Sequence, residues 1–164
     1  MSNFLKTGFL KTEDIKENFP SLERIRKNPV AIIECPQEIP CNPCVTSCTV
    51  HAVSMKTING IPDIDFDKCI GCGNCIKICP GLAIFLINIK DGNGIVSLPY
   101  EMLPTPKKGE KVNLLNRKGE KIGKGIVTKI ILPEKDTSAA IITVQFNDPE
   151  LVYEVRNIEM PNEG

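Results

Sequence analysis

Cys69-Ile70-Gly71-Cys72-Gly73-Asn74-Cys75-Ile76-Lys77-Ile78-Cys79-Pro80 decides how this chain is read. The spacing is C-x2-C-x2-C-x3-C-P, a pattern of iron–sulfur ligation. Three thiolates at x2 spacing on a tight loop reach three irons of one cubane. Gly71 and Gly73 let the backbone curl around an inorganic core and aim N–H groups at its sulfurs. The x3 step enters a short helix that turns Cys79 away, toward a second cluster. Pro80 stops that helix at once. The competing chemistries fit less well. Zinc wants two closely spaced ligand pairs in a tetrahedral cage, and a disulfide framework wants an oxidising compartment.

Upstream stands a less regular group, Cys35-Pro36-Gln37-Glu38-Ile39-Pro40-Cys41-Asn42-Pro43-Cys44-Val45-Thr46-Ser47-Cys48-Thr49. Its C-x2-C-x3-C part matches the end of the same run. A fourth cysteine at regular spacing would occupy 38, where Glu38 stands, and Thr49 replaces the proline after Cys48. Three readings are open. Cys35 reaches round a longer loop, stiffened by Pro36 and Pro40, and completes a [4Fe-4S] cluster. Alternatively Cys35 is free, and Cys41, Cys44 and Cys79 hold a [3Fe-4S] cluster. In the third, Glu38 is an oxygen ligand to one iron. The blander reading of Glu38 is a solvent-facing loop acid, since a carboxylate buried there without a partner is expensive.

The crossed arrangement assigns every cysteine. Cluster I takes Cys35, Cys41, Cys44 and Cys79. Cluster II takes Cys69, Cys72, Cys75 and Cys48. Each half supplies three ligands to its own cluster and one to its neighbour's, so the clusters are part of the fold and the apo-chain is expected to unfold largely.

These two runs make residues 30–89 resemble the two-[4Fe-4S] bacterial-type ferredoxin family. The pseudo-repeat Cys48-Thr-Val-His-Ala-Val and Cys79-Pro-Gly-Leu-Ala-Ile adds to the likeness. The resemblance implies a pair of short hairpins with two short helices. Glu34 to Cys44 is more narrowly similar to ferredoxin-type small subunits of flavin-dependent amine or amino-acid dehydrogenases, proline and hydroxyproline types among them. That likeness implies a flavoprotein oxidoreductase as the partner and an internal electron wire as the role.

The rest of the chain predicts an α+β protein with a second unit. The sequence divides into an N-terminal extension (1–29), a ferredoxin-like domain (30–98), a proline-marked linker (99–106) and a small all-β barrel of SH3-like or similar type (107–160). A short helix or a turn of one is expected over Thr12–Phe19 and a second over Ser21–Lys27, with Arg24, Arg26 and Lys27 as a solvated basic face. Val30–Ile33 reads as a strand. Ala52–Thr57 and Ile61–Phe66 read as a hairpin across Asn59-Gly60, with Asp63, Asp65 and Asp67 along one edge. Leu82–Ile89 and Ile95–Leu98 flank a turn at 91–94. In the last unit, strands are expected at Val112–Leu115, Gly125–Leu132, Ala140–Phe146 and Leu151–Val155.

Composition bounds the function. Of 164 residues, Lys plus Arg number 20 and Asp plus Glu 20, so the chain is formally neutral and a poor candidate for nucleic acid or an anionic membrane. Residues 101–132 hold an excess of bases and 133–164 an excess of acids, which predicts cross-strand pairing. The longest apolar run, Leu82–Ile87, is far short of the ~20 residues of a membrane helix. Met1–Leu10 has no secretory h-region, and the expected setting is an anaerobic or reducing cytoplasm. His51, the one histidine, has no nucleophile beside it and is placed near cluster I as a surface residue. No catalytic residue is read. The rival classes are a free carrier ferredoxin and a metal-stabilised module that binds protein or nucleic acid.

Overall fold

Ile84–Lys90 (β4) is the strand around which the sheet is laid. Its sequence, IFLINIK, buries six residues in a row, the signature of a strand covered on both faces. The computed structural model describes residues 4–134 and 139–161. Helices are short: α1 Phe4–Thr7, α2 Leu22–Lys27, α3 Pro43–Thr46 and α4 Asn74–Ile78, with 3-10 turns at Thr12–Asp14, Lys16–Asn18 and Pro149–Tyr153. The other strands are β1 Val30–Ile33, β2 Val53–Ser54, β3 Asp63–Ile64, β5 Asn93–Tyr100, β6 Lys111–Leu115, β7 Lys121–Ile131, β8 Ala140–Phe146 and β9 Asn157–Glu159.

Seven strands form one sheet in the order β1-β4-β5-β8-β7-β6-β9, and β2-β3 form a separate small hairpin. Every ladder is antiparallel. The β4–β5 turn has two residues, Asp91 and Gly92, with φ of 52° and 77°, and Lys90 faces Asn93 across it. Two positive φ values in a two-residue loop match the twist of the flanking strands.

Period-2 alternation sends side chains to two cores. Val30 and Ile32 of β1, Phe85, Ile87 and Ile89 of β4, and Ile142, Val144 and Phe146 of β8 join one core. Ala31 and Ile33, Ile84 and Leu86, and Ile141 join the other, together with Cys44 and Cys75. The cysteine-bearing loops therefore lie on one face of the sheet, and α2 with the last 3-10 turn on the opposite face.

This differs from two units joined by a linker. The ladder from Gly94↔Phe146 to Tyr100↔Ala140 joins β5, from the cysteine half, to β8. The first core also takes side chains from both halves, Val96 and Leu98 beside Val112 and Ile158. The physical reason is the exposed edge that a β4–β5 hairpin would leave, which β8 covers. The expected linker begins inside β5. The protein is mostly sheet with few helices, and its ladders leave β1 and β9 at the two edges of an open order.

Thr12–Phe19 forms two 3-10 turns, within the expectation of a helical turn there. Two local expectations are corrected. Leu151–Val155 is not a strand: Pro149 fills the first turn, and the Asp148 side chain accepts from the Glu150 N–H, which starts a 3-10 helix. The 53–64 hairpin is shorter than expected, with Gly60 N–H bonded to the Thr57 carbonyl in its turn. The charge excesses do meet: Lys121 pairs with Glu159 at 2.7 Å.

Candidate iron–sulfur sites

The two cysteine sites are built on neighbouring residue pairs of the same two strands. Ala31 pairs with Leu86, and Ile33 pairs with Ile84, across β1 and β4. Ala31 and Leu86 wall one cavity with Cys48, Cys69, Cys72 and Cys75. Ile33 and Ile84 wall a second with Cys35, Cys41, Cys44 and Cys79. The two wall pairs are two residues apart, roughly 7 Å along the strands. The two cavities are of similar size. Cys44 of one and Cys75 of the other lie in the same apolar cluster.

The local folding follows from the repeat. Pro43 opens α3 and the left-handed Gly73 precedes α4. In each half a cysteine ends the helical run, a residue with positive φ follows three positions on, and an alanine N–H turns back to the sulfur. These are Cys48, His51 (φ 50°) and Ala52, and Cys79, Leu82 (φ 52°) and Ala83. Ala52 N donates to Cys48 Sγ at 3.2 Å and Ala83 N to Cys79 Sγ at 3.5 Å. Ala31 N donates to Cys69 Sγ at 3.4 Å.

Electrostatics sort the thiols in the same way. Burial, with added repulsion from Cys69 and Cys72, pushes the Cys75 thiol up to about 12. Burial also raises Cys35 and Cys44, and in both cases Cys79 and Cys41 add to the rise. Thiolates crowded like this need a positive core between them, and a bound metal deprotonates such thiols outright. Among the described residues no group of three or more His, Cys, Asp or Glu stands as a ligand set for a single metal ion. Four soft thiol donors line each cavity, the donor set of an iron–sulfur core.

Glu38 is exposed and lines neither cavity. His51 is exposed as well. It precedes Ala52 on the wall of the Cys48 cavity rather than the Cys35 cavity, and lines neither.

Buried arginines, missed in the sequence, fix both sites. Arg24 does not belong to a solvated face. It is 9% exposed, and its guanidinium donates to the carbonyls of Phe66 (2.7 Å), Asn28 (3.0 Å) and Cys69 (2.6 Å), and to Asn28 Oδ1 (2.5 Å). Glu34, directly before Cys35, takes a bidentate pair from Arg117 at 2.9 and 2.6 Å and a bond from Arg156 Nε at 2.7 Å. The three side chains are only 4–7% exposed. Burial works to raise the Glu34 carboxyl; the Arg117 hydrogen bond and the two guanidinium charges outweigh it and hold the carboxyl below its ordinary value. Burial lowers Arg156 to about 10 against the pull of Glu34. One signal was available: Glu34 follows the four-residue apolar run of β1, so its side chain starts at the core.

Comparison with known proteins agrees with the geometry. Residues 62–85 match the 4Fe-4S binding domain, so the chain carries a 4Fe-4S binding segment of ferredoxin type. It is 38% identical over 68 residues to an uncharacterized ferredoxin of Methanocaldococcus jannaschii, covering 40% of this chain and 41% of that one. It is 36% identical over 80 residues to a selenate reductase subunit of Mesobacillus selenatarsenatis, 48% of this chain and 26% of that protein. It is 30% identical over 146 residues to a translation initiation factor of Saccharomyces cerevisiae, 79% of this chain and 22% of the factor. The chain thus spans less than half the length of each. No solved structure matches. No helix among the described residues is long and apolar enough to cross a membrane.

Proposed function

We propose that this chain relays single electrons through two [4Fe-4S] clusters as the iron–sulfur subunit of a larger oxidoreductase. One observation carries the reading: the eight cysteines divide into two four-cysteine cavities, with Cys48 and Cys79 crossed between the halves. The clusters, when bound, supply the redox chemistry. The chain's own residues do the rest. Cys35, Cys41, Cys44 and Cys79 hold cluster I, and Cys48, Cys69, Cys72 and Cys75 hold cluster II. The placement of Cys35 beside Cys41 supports a complete cubane over the three-iron alternative. Ala31, Ala52 and Ala83 N–H groups offset charge on the sulfurs, and the aliphatic walls exclude water, both of which tune potential. The shared apolar partition between Cys44 and Cys75 sets the clusters next to each other.

The partner is the finer part of the proposal. Relatives that are named as subunits of reductases and dehydrogenases support a catalytic partner. The Glu34–Cys44 segment favours a flavoprotein of amine or amino-acid dehydrogenase type.

Anaerobic iron and acid-labile sulfide analysis with EPR after dithionite reduction tests the core of this reading. About eight iron and eight sulfide per chain, with a coupled signal from two reduced cubanes, is expected. Cys79→Ser is expected to damage the Cys35 site and spare the Cys69–Cys75 site. Zinc in place of redox-active iron, or damage by Cys79→Ser confined to the Cys69–Cys75 site, would overturn it.

A further inference from the structure

We propose that Arg24 holds the reduction potential of the Cys48/Cys69/Cys72/Cys75 cluster above that of its neighbour, so that the electron entering the pair comes to rest there. The inference rests on the two-cluster reading of the preceding subsection.

Charge compensation differs between the two sites. Arg24 is buried, and its hydrogen bonds go to three carbonyls and an amide oxygen. Among the described residues no carboxylate pairs with it. Its charge is fixed against the backbone of Cys69 itself. At the other site, Arg117 and Arg156 are also buried, but Glu34 bridges both and Glu154 reaches Arg117 at 3.4 Å. Two cations there face two carboxylates.

Other contributions are close to even or screened. Backbone N–H groups bond sulfurs at both sites, those of Cys48, Cys69 and Cys75 at one and those of Cys35, Cys44 and Cys79 at the other. Asp63, Asp65 and Asp67 precede Cys69 but are exposed, and Asp65 pairs with Lys68 at 3.0 Å. Water and salt screen charges placed that way. The buried guanidinium is screened much less. Reduction adds one negative charge to a cluster, and a fixed positive charge buried against the backbone of one of its ligands stabilises that state. One electron then leaves the Cys35-side cluster, which is oxidised, and reduces the Cys69-side cluster. No proton or bond changes.

Arg24 also positions the loop, so its substitution alone is ambiguous. Asn28→Asp resolves this: Asn28 Oδ1 already accepts from Arg24, and a carboxylate there compensates the charge in place while leaving the clamp intact. The experiment is an EPR-monitored redox titration of the full chain carrying both clusters, with dithionite as reductant. Asn28→Asp and Arg24→Met are expected to lower the higher of the two midpoints, changing the reduced-to-oxidised ratio at fixed potential roughly tenfold, about 59 mV for one electron. Arg24→Lys is expected to keep that midpoint. Glu34→Gln, which removes compensation at the other site, is expected to raise the lower one. If Asn28→Asp moves only the lower midpoint, or neither, with iron content intact, the proposal is overturned. A wild-type chain with one cluster or none overturns the two-cluster reading instead.

Discussion

The two cysteine cavities share a plan and differ in what holds them. Each has a short helix, a terminal cysteine, a left-handed residue and an alanine N–H returned to sulfur. The supports outside this repeat are unlike. The Cys69 loop leans on the N-terminal extension, through Arg24 on two of its carbonyls and Pro29 behind Gly71. Cys35 stands at the end of β1, and the residue before it is gripped by Arg117 and Arg156 from the last third of the chain. The repeat makes the cages, and segments outside it clamp the outlying cysteines. That gives the additional segments a structural reason independent of any partner.

Removing the iron should give the largest effect and the hardest test of that division. The core on the cysteine face includes Cys44 and Cys75 and is closed by helices of four and five residues. Helices that short are not stable alone, so residues 35–82 are expected to depend on bound metal. The opposite core is built of aliphatic and aromatic side chains and draws on most of the large sheet and on α2. Anaerobic chelation followed by amide hydrogen exchange should strip protection from 35–82 while β5, β7 and β8 keep theirs. Uniform loss through β8 would show that the two faces fold as one unit, and no loss anywhere would deny the clusters a structural role.

The part of this organisation that could be read from sequence was local. The Cys69–Cys79 spacing, its partial echo at Cys41–Cys48 and the turn expected at 91–94, which the structure narrows to Asp91-Gly92, all state their geometry within a few positions. What was not legible depends on pairing between distant strands. The proline-rich stretch after 98 looked like a boundary because nothing local reveals that β8 takes the free edge of β5. Arg24 sits beside Arg26 and Lys27 in a basic turn, and helical position alone selects it for burial against Phe66 and Cys69. Glu34, Arg117 and Arg156 are scattered over the length of the chain, and each on its own is an ordinary polar residue.

Breaking the Glu34 grip tests the Cys35 side. Glu34→Ala leaves two buried guanidinium groups without their shared carboxylate, a loss of about 3–5 kcal/mol for a broken buried ion pair. Chemical denaturation should show a drop in that range, accompanied by preferential loss of the Cys35-side cluster. The same contact gives an acid dependence. The Glu34 carboxyl titrates below its ordinary value of 4.5 in the folded chain, so its contribution is present above that pH and drains away as pH falls through the depressed value. Glu34→Ala should therefore flatten the acid limb of the stability profile. A limb as steep as that of the wild type would place the acid sensitivity elsewhere.

Gly71 and Gly73 sharpen the comparison on the Cys69 side because they share a conformation and differ in surroundings. Their φ values are 68° and 81°, and an L side chain in that region costs about 1–2 kcal/mol. A Cβ on Gly71 would lie 2.5 Å from the Pro29 carbonyl oxygen, a backbone atom that moves only if the end of α2 moves. On Gly73 the nearest atom is Ile141 Cδ1 at 3.5 Å, an ordinary contact. Gly73→Ala should then cost about 1 kcal/mol and leave cluster content unchanged. Gly71→Ala should cost about 3 kcal/mol, backbone strain plus displacement of the Asn28-Pro29 segment, and because Arg24 bonds Asn28 the displacement should reach Cys69. Equal losses for the two variants, measured as unfolding midpoints with intact clusters, would mean that φ alone sets the requirement and that the N-terminal extension does not press on the loop.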